Sequence, residues 1–99
     1  MKSTPPELNS SERKVLRGKA MALKPAFTVS ANGITESVRV QGEAAFSSQS
    51  LIKVRFAETE RDARSRQMTD FAEATASALC GGVGRTASYF RPLPERDTL

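Results

Sequence analysis

Ser30-Ala31-Asn32-Gly33-Ile34-Thr35-Glu36-Ser37-Val38-Arg39-Val40-Gln41 is the stretch on which the fold turns. Asn32-Gly33 takes positive φ readily and marks a tight turn. Beyond it Ile34, Glu36, Val38 and Val40 alternate, and Val, Ile and Thr favour strands, so 34–41 reads as a strand closing a type I′ hairpin. Yet Ile34, Val38 and Ala45 also fit one helical face, Thr35 stands where a cap belongs, and Gly42 breaks the alternation. The pattern alone leaves both readings open.

Upstream, Asn9 followed three residues later by Glu12 has the form of a capping box, so a helix is expected to begin there. Val15, Leu16, Ala20 and Leu23 recur at helical spacing and place Arg13, Lys14 and Arg17 toward the other side. Lys24-Pro25 is expected to end this helix, because proline pushes the preceding residue out of the α region. Ala26 to Val29 is a short strand candidate with Phe27 and Val29 on one face.

Downstream, Ser47 to Ser50 is a polar break, and Leu51 to Phe56 is the clearest strand, with Ile52, Val54 and Phe56 inward and Lys53 and Arg55 opposite. A long helix is predicted from about Arg61 to Ala78, with Met68, Phe71, Ala72, Thr75 and Leu79 as its buried stripe and Arg61, Arg64, Asp70 and Glu73 mainly outside it. A glycine-rich stretch (Gly81, Gly82, Gly84) leads into a strand at 87–90, with Gly84-Arg85 as the turn between two final strands. If 34–41 is helical, strands and helices alternate and an α/β sandwich follows.

Ninety-nine residues make one domain, with a core but no room for a deep substrate pocket. The expected layout is a disordered lead-in at 1–7, the domain at 8–92 and a flexible tail at 93–99. There is no histidine and one cysteine, so neither an internal disulfide nor a Cys-His pair can form, and no metal or cofactor is expected. No apolar run approaches a membrane span and Met1 to Pro6 has no signal-peptide core, so a cytoplasmic protein is expected. The net charge of +4 is concentrated: residues 1–33 hold six Lys/Arg against two Glu, while 34–60 carry −1 and 61–99 carry +1. A basic first third is the footprint of a polyanion-binding surface, or simply a solvated helix face.

Taken together, the chain resembles the YhbY-like proteins, which consist of one CRM domain. The resemblance runs through Arg13-Lys14-Val15-Leu16-Arg17-Gly18, Leu23-Lys24-Pro25, Asn32-Gly33-Ile34-Thr35-Glu36, Leu51-Ile52-Lys53-Val54-Arg55, Gly84-Arg85-Thr86 and Tyr89-Phe90-Arg91-Pro92. It implies a compact two-layer α/β domain ordered α-β-α-β-α-β-β with a four-stranded mixed sheet, similar to the C-terminal domain of translation initiation factor three. It also implies that 34–41 is a helix. It further implies RNA binding without catalysis, on ribosomal RNA in precursors of the large subunit. The family's loop usually reads Gly-x-x-Gly, and here Ser30 replaces the first glycine.

The candidate RNA-binding residues are Arg13, Lys14, Arg17 and Lys24 of the basic first third, the loop Ser30, Ala31, Asn32 and Gly33, then Lys53, Arg55 and Arg85. Arginine grips a phosphate through two parallel bonds and lysine acts as a point charge. If the loop opens a helix, free amides and the helix dipole favour an anion there. Phe27, Phe56, Phe71 and Phe90 are expected in the core, Tyr89 on the opposite face where it could stack on a base, and Cys80 as a small buried or strand residue. The expected partner is RNA, with no small-molecule substrate and a monomeric state. The rival reading is an adaptor that docks on a ribosomal protein or another translation factor.

Overall fold

Thr35 decides the ambiguous stretch. Its hydroxyl accepts from the amide of Val38 at 3.3 Å and caps a helix, α2 (Glu36–Phe46). Val38, Gly42 and Phe46 are the residues this helix buries, a spacing of four that the alternation at 34–40 conceals. In the computed structural model, which describes residues 6–93, α2 sits in the order α1 (Ser10–Ala20), β1 (Phe27–Val29), α2, β2 (Leu51–Phe56), α3 (Arg61–Thr75), β3 (Ala78–Val83), β4 (Thr86–Phe90). The expected lead-in and tail lie almost wholly outside the described residues.

The four strands form one mixed sheet in the order β1-β2-β4-β3; β1 runs parallel to β2, and the other two pairings are antiparallel. Ile52, Val54 and Phe56 of β2 join Ala87 and Tyr89 of β4 on one face, where Val38, Phe46, Met68 and Phe71 from α2 and α3 complete the core. Phe71 is fully buried with its ring 4.7 Å from Tyr89 and 5.9 Å from Phe27, so truncation to Ala costs about 3–5 kcal/mol. A Cβ on Gly42 would come within 2.8 Å of the Phe71 ring and 2.9 Å of the Thr75 methyl; the bare backbone is what lets α2 and α3 meet.

α1 lies on the other face, its Arg17 stem against Gly81 and its Ala20 buried. Ala20, Ala78 and Cys80 are buried outside the main cluster. The capping box at Asn9 and Glu12 is formed in both directions, at 2.8 and 3.0 Å.

Several expectations need correction. α1 ends at Ala20, and 21–26 is a turn leading to the Ala26 amide, which donates to the carbonyl of Lys53. Val15 is 57% exposed; the docked face of α1 is centred nearer Leu16 and Ala20, which brings Arg17 to its flank instead of the far side. α3 stops at Thr75 because Ala76 takes a left-handed conformation, φ 52°. Leu79 therefore belongs to β3, which begins at Ala78 and carries Cys80 and Gly81 through a bulge. Tyr89 does not face solvent. It pairs with the inward Ile52, and its hydroxyl donates to the carbonyl of Met68 at 2.8 Å, so Phe90 turns to the opposite face and is only half-buried.

Candidate functional site

β1 and β2 run in parallel toward one end of the sheet, β3 ends there and β4 starts there. That end therefore collects the loop 30–33, Arg55, the Gly84-Arg85 turn, and the first turns of α2 and α3. The loop is held internally: the Gly33 amide donates to the Ser30 carbonyl at 3.0 Å and the Asn32 amide to the Ser30 hydroxyl at 3.3 Å. Gly33 has φ 88°, a conformation that favours glycine, and it is buried. Ser30, Ala31 and Asn32 are exposed, so they form the accessible part of the loop and Gly33 supports it from beneath.

Glu36 occupies the mouth of α2, where Arg39 grips it through two bonds of 3.0 and 2.6 Å. The hydrogen bond, and then the charge, of Arg39 hold the Glu36 carboxyl below its usual range. This helix mouth already carries a negative charge, and Arg39 is committed to it. An anion here must be attracted by cations from outside the loop.

Those cations stand elsewhere. Arg13, Lys14, Arg17 and Lys24 are exposed, and none is in an ion pair among the described residues. Lys53 is half-buried and lines one cleft together with Arg17, while Arg55 and Arg85 are exposed near the loop end of the sheet. α1 covers part of the sheet face that carries Lys53 and leaves a cleft beside it. Cys80 is buried beneath α1, and burial pushes its thiol up, away from reactivity at neutral pH.

A model of the CRS1/YhbY (CRM) domain matches residues 8–91. The chain belongs to the CRS1/YhbY family. It is 32% identical over 88 residues to a probable RNA-binding protein of Pseudomonas aeruginosa, covering 89% of this chain and 85% of that protein. A protein of Haemophilus influenzae named as RNA-binding is 28% identical over 88 residues, covering 89% of each. The fold matches the solution structure of a hypothetical protein of Staphylococcus aureus with a TM-score of 0.82 and 25% identity, over 92% of this chain and 95% of that one.

Within this CRM domain the departure at Ser30 has a local explanation. Ala76 is the sole non-glycine residue at positive φ among the described residues, so the first loop position does not need glycine, and the serine hydroxyl adds a turn hydrogen bond. Arg91 of the Tyr89-Phe90-Arg91-Pro92 motif is structural: it donates to both oxygens of Glu43 and to the Thr75 carbonyl, and its guanidinium lies 4.8 Å over the Phe46 ring.

Sequence reasoning passed over Arg61, Arg64 and Arg66 as a group. Three arginines in six residues at the start of α3 oppose the helix dipole, and that misfit is the signal that was readable. Arg64 donates to the carbonyls of Glu58 and Thr59, and it lines with Arg61 and Gly84 a shallow cleft of about 280 Å³. It was also not visible that Gln67 would donate to the Ala31 carbonyl and so reach the loop.

Proposed function

We propose that this CRM domain binds RNA through the cations of α1 and the exposed half of the loop 30–33, and that it performs no chemistry on it. The observation that carries the reading is the set Arg13, Lys14, Arg17 and Lys24, exposed and without acidic partners among the described residues, in a chain whose relatives are named as RNA-binding. Charges left unpaired on one helix and its following turn are available to phosphates, whose counterions are released on contact. Lys53, Arg55 and Arg85 extend the cationic surface toward the loop end of the sheet.

The target in this reading is ribosomal RNA in a precursor of the large subunit, bound by a cytoplasmic monomer that assists assembly. Support for the ribosomal target comes from the motif resemblance of residues 8–92 to bacterial single-domain members. The binding test is affinity for a ribosomal RNA fragment across a salt series. The expected slope is roughly −0.7 per phosphate contact on single strands. Changing Arg13, Arg17 and Lys24 together to Ala is expected to abolish binding while lowering the melting temperature only by the lost packing of the Arg17 stem on Gly81. Wild-type affinity in that triple variant would overturn the reading. Sedimentation of the tagged protein with ribosomal precursors, and its release by RNase, tests the target; retention after RNase would favour a protein-docking adaptor.

A further inference from the structure

The cleft between α1 and the sheet has a chemical character that the phosphate-binding reading does not use. It measures about 190 Å³ and is lined by Arg17, Met21, Lys53, Gly81, Val83 and Ser88 among others, with no acidic residue. A cavity for a drug-sized ligand spans about 300–1,000 Å³. This cleft therefore suits one ring system and not a whole metabolite. Met21 and Val83 stand at it 75% and 68% exposed, an arrangement that costs hydration unless something apolar covers them.

The wall is equally specific. A Cβ on Gly81 would fall 2.6 Å from Arg17 Cδ and 3.4 Å from one guanidinium nitrogen, so the missing side chain is what lets Arg17 lie flat against β3. The Ser88 hydroxyl donates to the Gly81 carbonyl and the Thr86 hydroxyl to the Val83 carbonyl, at 3.4 and 3.1 Å. With their protons committed, both oxygens present lone pairs, which accept from a base N–H. Arginine planes and thioethers are sequence-tolerant partners for a flat aromatic ring, and Arg17 and Lys53 supply charge for its phosphate.

We propose that this cleft holds a single unstacked base of single-stranded RNA, with the ring against Arg17, Met21 and Val83 and the adjoining phosphate at Arg17 and Lys53. The inference rests on the RNA-binding reading and adds a base pocket to it. Charge complementarity selects the occupant: two cations without ion pairs among the described residues beside an apolar surface match a nucleotide, which is anionic at one end and flat at the other.

The test uses the full chain and a single-stranded oligoribonucleotide of about 12 nucleotides, beside the same sequence as a duplex and as an abasic strand. Met21→Ala with Val83→Ala removes exposed apolar groups and no charge. The double variant is expected to bind the single strand roughly tenfold more weakly, with an unchanged salt slope. It is expected to match wild type on the abasic strand. Photocrosslinking with 4-thiouridine is expected to label the peptides holding Met21 or Val83. Unchanged affinity in the double variant, beside a loss in the Arg13/Arg17/Lys24 variant, overturns the base pocket and leaves RNA binding intact. Binding of wild type to the duplex alone does the same. No binding of wild type to any of these RNAs overturns both.

Discussion

The side-chain amide of Gln67 donates to the Ala31 carbonyl at 3.3 Å, joining α3 to the exposed loop across 36 residues of sequence. Gln67 is buried, and its other polar atom, Oε1, has no partner among the described residues. Gln67→Leu removes one hydrogen bond and one orphaned acceptor together, so the stability change is expected to stay within about 1 kcal/mol. The loop loses its anchor, and RNA affinity is expected to fall several-fold. Urea melts and filter binding on one preparation separate these effects; an equal loss of both would make Gln67 a core residue only.

Ala76 ends α3 at φ 52°, ψ 45°, with its amide directed to the carbonyls of Ala72 and Glu73. A Cβ in this region is strained, and glycine removes the strain while adding freedom to the unfolded chain. Ala76→Gly is expected to stabilise by about 0.5–1 kcal/mol, visible as a higher urea midpoint with an unchanged slope.

What could be read from the sequence divides by range. The Asn9–Glu12 box and the strand Leu51–Phe56 were legible because caps and alternation are local. The faces of Tyr89 and Phe90 are not legible locally, because the facing of β4 is set by its register on β2, Ile52 opposite Tyr89, which no local pattern encodes. β3 was partly hidden by Gly81 and Gly82, poor strand formers held in place by pairing with β4. In the site, the charge of residues 13–24 was plain from composition. The meeting of Lys53 with Arg17, and the burial of Gly33, depend on how α1 and α3 dock, and appear only in three dimensions.

The two ends of the loop are expected to differ in what substitution costs. Gly33→Ala forces a side chain into φ 88° at a buried position and should cost about 1–2 kcal/mol, read as a lower melting temperature. Ser30→Gly removes only an exposed turn hydrogen bond and should cost a few tenths of a kcal/mol. It also clears a Cβ from the exposed surface. Tighter RNA binding by Ser30→Gly would show that the loop touches RNA; unchanged affinity would leave α1 as the principal contact.

Glu43 and Arg91 link α2 to the residue following β4 through two bonds of 2.9 and 3.0 Å. The hydrogen bond from Arg91 is the largest effect holding the Glu43 carboxyl below its usual range. A carboxyl whose folded pKa lies below its unfolded one stabilises fully above the unfolded value, about 4.3, and loses that contribution as pH falls through the folded value. Glu43→Gln is therefore expected to cost about 0.5–1 kcal/mol at neutral pH, the side chain being 41% exposed and screened. That difference from wild type should hold down to about pH 5 and close as pH drops below about 4. Arg91→Ala should cost more, about 2 kcal/mol, because the Thr75 carbonyl and the Phe46 ring also lose their partner. Melting curves of all three proteins between pH 3 and pH 8 give the comparison, and a Glu43→Gln difference that persisted at the acid end would show that the pair does not carry this charge-dependent stability.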